Sequence, residues 1–315
     1  MKTPIVPVSV IVPNFNSGKY LEYCITSINS SQCPAEIIII DDCSTDNSLE
    51  LAFELELKYS NIKVLKRVSN GGAAEARKLG ILTASQDWIA LVDADDFLEE
   101  KAIQNAYSTA VRDGSDVCIW DMWRTDSERS WRSMSLNPND FPKSGRQATI
   151  ETLGQWKIHP LGVSRKEIYI NAYREFSETI LNADELLTRL VFASASKISF
   201  SEKRYFYRVN PDSSTQTIST RRLTTLHSYI WLLKFARNYP EVNPEIISMG
   251  AIAQAWHFFK NRKAYGTVKV MGILTDFIPK IAKEGNLHKW IWKRPKHLIA
   301  FSIIFMFCRF RIIKK

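Results

Sequence analysis

Three aspartates crowd into four positions directly behind an apolar run at residues 88–97, WIALVDADDF, and this stretch constrains the fold more than any other. A β-rich apolar run fits a strand buried on both faces, and carboxylates at its carboxyl end sit where open α/β sheets receive ligands. Asp93, Asp95 and Asp96 repel one another and need a cation or a structural reason to stand together. Hard divalent ions take oxygen ligands, and Mg2+ is commonly held by one or two carboxylates plus substrate phosphates. The same residues also suit the start of a helix near Glu99, where Asp is a favoured cap and acids complement the helix dipole. On this stretch alone both readings stand.

The preceding chain supplies the context. Residues 8–12, VSVIV, form a β-branched run closed by Pro13, after which Tyr20, Leu21, Cys24, Ile25 and Ile28 recur at helical spacing. Residues 37–40 predict a second buried strand ending in Asp41 and Asp42, with Asp46 capping a helix that carries Leu49, Ala52, Phe53 and Leu57. Residues 62–65 predict a third strand, leading through Asn70, Gly71 and Gly72 into a helix over 73–84. Three βα units ahead of the strand at 88–92 give the rhythm of a parallel sheet. Strand ends of one parallel sheet open on one edge, so Asp42 and the aspartates at 93–96 are expected to face a common crevice. The first connecting loop, PNFNSG, holds neither the glycine fingerprint of dinucleotide folds nor a Walker loop.

Further along, the spacing predicts a helix over 98–112, a strand over 117–123 and a polar surface excursion over 124–144. It also predicts a capping box at Ser164-x-x-Glu167, a helix over 184–195 and short strands over 197–200 and 205–208. Beyond the Ser/Thr-rich segment 211–220 the pattern is helical, which places the boundary between a domain at 1–219 and a helical region at 220–315. That region is expected to pack on the first domain or to form a homo-oligomer interface.

Charge is unevenly placed. The chain has a net charge of +9, yet residues 283–315 hold nine Lys or Arg against one acid, leaving the remainder nearly neutral. That argues against a nucleic-acid footprint and for a local anionic contact such as a membrane surface. The apolar run 298–308, LIAFSIIFMFC, is well short of the roughly 20 residues that span a bilayer, and Trp290, Trp292 and the flanking basic residues suit in-plane contact instead. Five cysteines without C-x-x-C spacing point to neither zinc nor a disulfide framework and fit a reducing cytosol. Pro4 and Pro7 interrupt the amino-terminal run, which reads as a strand, not a signal peptide. The expected location is cytoplasmic, peripheral at the inner face of the cell membrane.

The segments VSVIVPNFNSGKYLEYCITSI, IIIIDDCSTDNSLELA, NGGAAEARKLGILTA and DWIALVDADDFLE, in this order and spacing, resemble the family 2 glycosyltransferases. The resemblance implies an α/β GT-A fold: a Rossmann-like mixed, mostly parallel sheet flanked by helices, followed here by the α-helical carboxyl-terminal region. It implies inverting transfer of a sugar from a UDP-sugar to a hydroxyl of a glycan, a teichoic-acid-like polymer or a lipid-linked acceptor. Matched motif by motif, Pro13 and Phe15 would line the nucleobase pocket and Asp42 would accept from the base. Asn70, Gly72 and Arg77 would serve the uracil and ribose side, and Asp93 and Ala94 the donor. Asp95, with Asp93, would ligate Mn2+ or Mg2+ bridging the diphosphate. Asp96 lies within the match and also reads as a helix cap. The chemistry suits these residue types, because negative charge builds on the departing diphosphate and a bound cation stabilises it.

In this family an acidic pair begins the helix after the acceptor loop, and its Asp removes the acceptor proton. Here Ala183 stands where the Glu usually sits, Asp184 keeps the register of the base, and Glu185 is an extra acid. His159, in HPLG, lies where the family closes on the acceptor, or is a hydrogen-bonded structural histidine. Arg208, in RYFYR, belongs to the strand before a loop that covers the donor. Two rival functions share parts of this pattern. A nucleotidyltransferase would be expected to carry a Gly- and Arg-rich phosphate loop after the first strand, and a catalytically inactive nucleotide-sugar-binding scaffold would tolerate loss of the carboxylates.

Overall fold

The computed structural model describes residues 5–30, 34–126, 128–134, 136–153, 158–175, 183–209 and 220–312. Its first elements are β1 (Val6–Asn14), α1 (Gly18–Asn29), β2 (Pro34–Asp41), α2 (Ser48–Lys58), β3 (Ile62–Lys66), α3 (Ala73–Thr83) and β4 (Trp88–Leu91). The β-branched residues Val10, Ile11 and Val12 of β1 and Ile37 to Ile40 of β2 are wholly buried, as strands covered on both faces require. α1 lays one stripe, Leu21, Cys24, Ile25 and Ile28, against them. α3 lies so close to the sheet that a Cβ at Gly80 would collide with Ile11 and Ile40.

The chain continues through β5 (Phe97–Leu98), α4 (Ala102–Asp113), β6 (Val117–Thr125), β7 (Ser130–Arg132), β8 (Lys143–Ser144) and α5 (Gly145–Thr152). Then come β9 (Gly162–Arg165), α6 (Lys166–Glu175), α7 (Ala183–Ser194) and β10 (Lys197–Arg208). The main path of the sheet is β3-β2-β1-β4-β9-β6-β10-β5, with β7 on β6 and β8 on β10. Pairing is parallel along β3-β2-β1-β4 and between β6 and β10; β9 runs antiparallel to both β4 and β6. This is the mixed, mostly parallel sheet flanked by helices expected above.

Local differences have tertiary causes. The helix expected from 98 begins instead at Ala102, because Phe97 and Leu98 pair antiparallel with Phe206 and Tyr205 of β10. Ser164 caps no helix: it sits in β9, fully buried between β4 and β6, and pairs with Ile89 and Val117. The two short strands expected at 197–208 are one strand with a register shift between Ser201 and Arg204.

The chain divides into two compact units. One comprises Met1–Thr149, Lys157–Thr179 and Leu187–Asn210, and holds the sheet. The other comprises Ile150–Trp156, Ile180–Leu186 and Pro211–Lys315. Within it run α8 (Thr225–Phe235), α9 (Pro244–Lys260), α10 (Arg262–Tyr265), α11 (Thr267–Glu284) and α12 (Pro295–Ile312), the helical carboxyl-terminal region expected from the spacing. Leu226, Ile230 and Leu233 of α8 and Ile252 and Phe259 of α9 are buried in its core. Among the described residues no helix is long and apolar enough to cross a membrane.

Candidate active site

Because β9 is antiparallel to both neighbours, β6 and β10 run in the same direction as β1 to β4. The carboxyl ends of these strands therefore open on one edge, where ligands of open α/β sheets bind. Asn14, Asp41, Asp42, the turn at 93–96 and Arg208 all lie there.

The two loops after β1 and β2 are cross-linked by short polar side chains. The Asn14 amide donates to Asp41 Oδ1 at 2.9 Å, Thr45 N–H donates to Asn16 Oδ1 at 2.7 Å, and Gly18 N–H donates to Asp46 Oδ2 at 3.1 Å. With the loop fixed, Pro13 is buried and Phe15 stands 48% exposed at the rim.

Asp42 is only 2% exposed. Its carboxylate pairs with Arg67 and accepts from Gly71 N–H at 3.0 Å and Gly72 N–H at 2.6 Å, while the Asn70 amide donates to the Asp42 carbonyl at 2.9 Å. Asp42 thus anchors the loop that opens α3. Gly72 adopts φ 86°, ψ 169°, a conformation that side-chain-bearing residues rarely reach, and this turns its N–H toward the carboxylate. One turn into α3, buried Arg77 reaches the acidic turn, with Nη2 donating to Asp93 Oδ1 at 2.6 Å.

The acidic turn is held from the β10 side. Asp93 N–H donates to the Tyr205 hydroxyl at 3.2 Å, and that hydroxyl donates to Asp96 Oδ2 at 2.6 Å. Arg208 N–H donates to Asp96 Oδ1 at 2.8 Å and its Nε to the Asp95 carbonyl at 2.9 Å. The Arg208 guanidinium lies over the rings of Tyr20 (4.9 Å) and Phe97 (5.2 Å). Asp96, at 1% exposure, therefore faces inward as a structural carboxylate and caps no helix; α4 begins six residues later. Burial, then the charges of Asp93 and Asp95, push its carboxyl well above the usual carboxylate range. Ala94 is buried, while Asp93 and Asp95 are half-buried.

Among the described residues no group of three or more His, Cys, Asp or Glu forms a cage for an ion. A hard divalent ion that bridges a diphosphate needs only one or two protein carboxylates. Two partly exposed carboxylates beside a third whose ionisation their charge opposes is a donor set that fits such an ion.

His159 is 1% exposed; its Nδ1 accepts from Leu161 N–H at 3.1 Å, and burial lowers its pKa to about 4 despite the nearby Trp120 backbone, so the ring is neutral. This is the environment of a structural histidine. Asp184 and Glu185 follow Ala183 in the first turn of α7, and their side chains lie outside the described residues, as does the segment 210–219. Arg67, which holds Asp42, belongs to no motif recognised in the sequence, and Tyr205, which holds the acidic turn, lies within RYFYR, where the sequence reading picks out Arg208 alone.

The family model described as glycosyl transferase family 2 matches residues 9–170, just over half of the chain. The chain belongs to this family. It is a glycosyltransferase, and its relatives carry that name. GlyG of Streptococcus pneumoniae serotype 4, a glycosyltransferase, is 29% identical over 222 residues, which covers 67% of this chain and 73% of GlyG. The poly(ribitol-phosphate) beta-N-acetylglucosaminyltransferase TarS of Staphylococcus aureus (strain Mu50) is 29% identical over 206 residues, 63% of this chain but only 35% of TarS. The crystal structure of S. aureus TarS 1-349 in complex with UDP-GlcNAc superposes with a TM-score of 0.66 at 20% identity, covering 96% of this chain and 91% of that one. The shared fold is GT-A.

Proposed function

We propose that this family 2 glycosyltransferase inverts configuration while moving a sugar from a UDP-sugar to a hydroxyl of a glycan, a teichoic-acid-like polymer or a lipid-linked acceptor. The observation that carries the reading is the acidic turn itself, with Asp93 held by Arg77 on one side and the turn pinned by Tyr205 and Arg208 on the other. Two carboxylates at the open edge of the sheet repel a bare diphosphate and suit one that carries a divalent cation.

In this reading residues 1–219 form the catalytic domain. Phe15 covers the nucleobase from the rim and Pro13 forms the floor. Asp42 contacts the base or acts through the Gly71 and Gly72 amides it anchors, with Asn70 on the same loop. Arg77 sets the orientation of Asp93 on the ribose side, and the Ala94 backbone follows the donor. A Mn2+ or Mg2+ ion at Asp95 and Asp93 would stabilise the charge that develops on the departing diphosphate. Asp184 takes the proton from the acceptor hydroxyl as it attacks the anomeric carbon, and a positioned base of this kind contributes roughly 10² to 10⁴ in rate. Free Cys24, Cys43, Cys118 and Cys308 suit reaction in the reducing cytoplasm.

TarS is named for N-acetylglucosaminyl transfer and its structure holds UDP-GlcNAc, so an N-acetylhexosamine donor is the first choice here, ahead of a hexose. The test is a panel of UDP-sugars with Mn2+, read as protection against thermal unfolding and as slow donor hydrolysis. Protection by at least one UDP-sugar, abolished in Asp95→Ala, is the expected result. A chain that responds to none of them would refute the donor assignment.

A further inference from the structure

Over residues 298–308 helix α12 is apolar on every side but for Ser302, and one stripe of it is covered. Ala300, Ile304 and Cys308, spaced four residues apart, form its buried stripe. The opposite side carries Ile299 at 59% exposure, Phe305 at 42% and Met306 at 49%, and Ser302 is the one polar residue in the run 298–308. Phe307 is 48% exposed and Trp292, just ahead of the helix, 72%. A surface helix of a globular protein normally turns a polar face to water, and a helix hydrophobic on every side is covered by protein or by lipid. Contiguous exposed apolar residues mark a docking surface, and the other exposed large apolar side chains on described helices stand singly or in pairs, such as Phe53 with Leu57 and Leu79 with Leu82.

The occupant is indicated by charge. Lys289, Lys293, Arg294 and Lys296 are exposed on the approach to this face, and no acid occurs anywhere from Gly285 to the end of the sequence. A two-fold contact between copies would set this basic cluster against its own like, since an isologous patch meets itself. An anionic lipid surface instead satisfies the charges and takes up the apolar side chains together. No described helix is fit to span a bilayer, so a bilayer contact through α12 would hold the helix in the plane of the interface, with its outward residues at the boundary between headgroups and acyl chains.

We propose that the outward face of α12, with Lys293, Arg294 and Lys296 before it, is a docking surface for an anionic bilayer. The proposal goes beyond the donor chemistry and stands whichever sugar the enzyme transfers.

The test is flotation of the full chain with vesicles of phosphatidylcholine alone and with phosphatidylglycerol added. The expected result is recovery with the anionic vesicles only, weakened by salt. Neutralising Lys293, Arg294 and Lys296 together to Gln should weaken that binding on the order of a hundredfold, at about fivefold per charge. Phe305→Glu with Met306→Glu should abolish it. Because these side chains are exposed, both variants should keep the wild-type melting temperature and UDP protection, which separates loss of docking from loss of fold or of donor binding. Full chain that stays unbound with anionic vesicles, or a charge-neutralised variant that binds like wild type, would overturn the proposal. So would a concentration-dependent dimer that the Phe305→Glu, Met306→Glu pair dissolves, with no vesicle binding, since the face would then serve a second copy.

Discussion

The buried hydroxyl of Tyr205 bridges the backbone of Asp93 and the carboxylate of Asp96, accepting at 3.2 Å from the first and donating at 2.6 Å to the second. One atom of β10 thereby ties both ends of the acidic turn. Tyr205→Phe keeps the ring stacked against Trp120 at 5.9 Å but leaves a buried carboxylate and a buried N–H short of a partner. A hydrogen bond to a charged group is worth about 1.5 to 3 kcal/mol. The variant should lose about that much in a urea titration and bind UDP with Mn2+ more weakly than wild type. Unchanged stability would show that water replaces the hydroxyl.

Asp95 stands at the outward side of the same turn. Asp95→Ala removes a half-buried carboxylate from a turn that stays held through Asp93, Asp96 and the Asp95 carbonyl, so the chain should remain folded. Transfer should fall about 10² to 10³-fold, the usual cost of losing a stabiliser of developing charge. Chelation with EDTA should reproduce the loss in the wild type, with recovery on adding Mn2+. Wild-type turnover in Asp95→Ala would remove the metal site from this turn.

How much of this is readable beforehand depends on how local each cause is. β1, β2 and β4 are legible as β-branched, apolar runs, because strands buried on both faces have no polar side to show. The positions of Asp42 and Asp93 follow, since parallel strands end on one edge. β9 is not legible: Ser164-x-x-Glu167 is a sound local cap signal, and pairing with β4 and β6 overrides it. Nor is the inward turn of Asp96, which depends on a tyrosine 109 residues away. Arg67 looks like any basic residue at a strand end until β3 lies beside β2 and brings it to Asp42.

The loop that Asp42 anchors depends on the backbone of Gly72. Gly72→Ala forces a Cβ into a conformation with φ 86°, at a cost of about 1 to 3 kcal/mol. If the loop relaxes to relieve that strain, the 2.6 Å bond from Gly72 N–H to Asp42 is lost. A denaturant midpoint reads the first effect and calorimetric titration with UDP the second. Weaker UDP binding with an intact fold is the expected pattern, and equal affinity would detach this loop from the nucleotide.

His159 sets a limit on acid stability. Its folded pKa of about 4 lies below its ordinary 6.5, because burial disfavours the charged ring. The unfolded chain therefore binds this proton first, and stability rises with pH wherever the unfolded state holds more protons. The contribution is fully present above pH 6.5 and is lost progressively as pH falls toward 4, about 3 kcal/mol in all at 1.36 kcal/mol per unit. Between pH 7 and pH 5 the wild type should lose about 2 kcal/mol more than His159→Asn, which has no titrating ring at this position. Urea denaturation at the two pH values measures the difference. Parallel losses in the two proteins would mean that His159 gains access to water and titrates in the folded state.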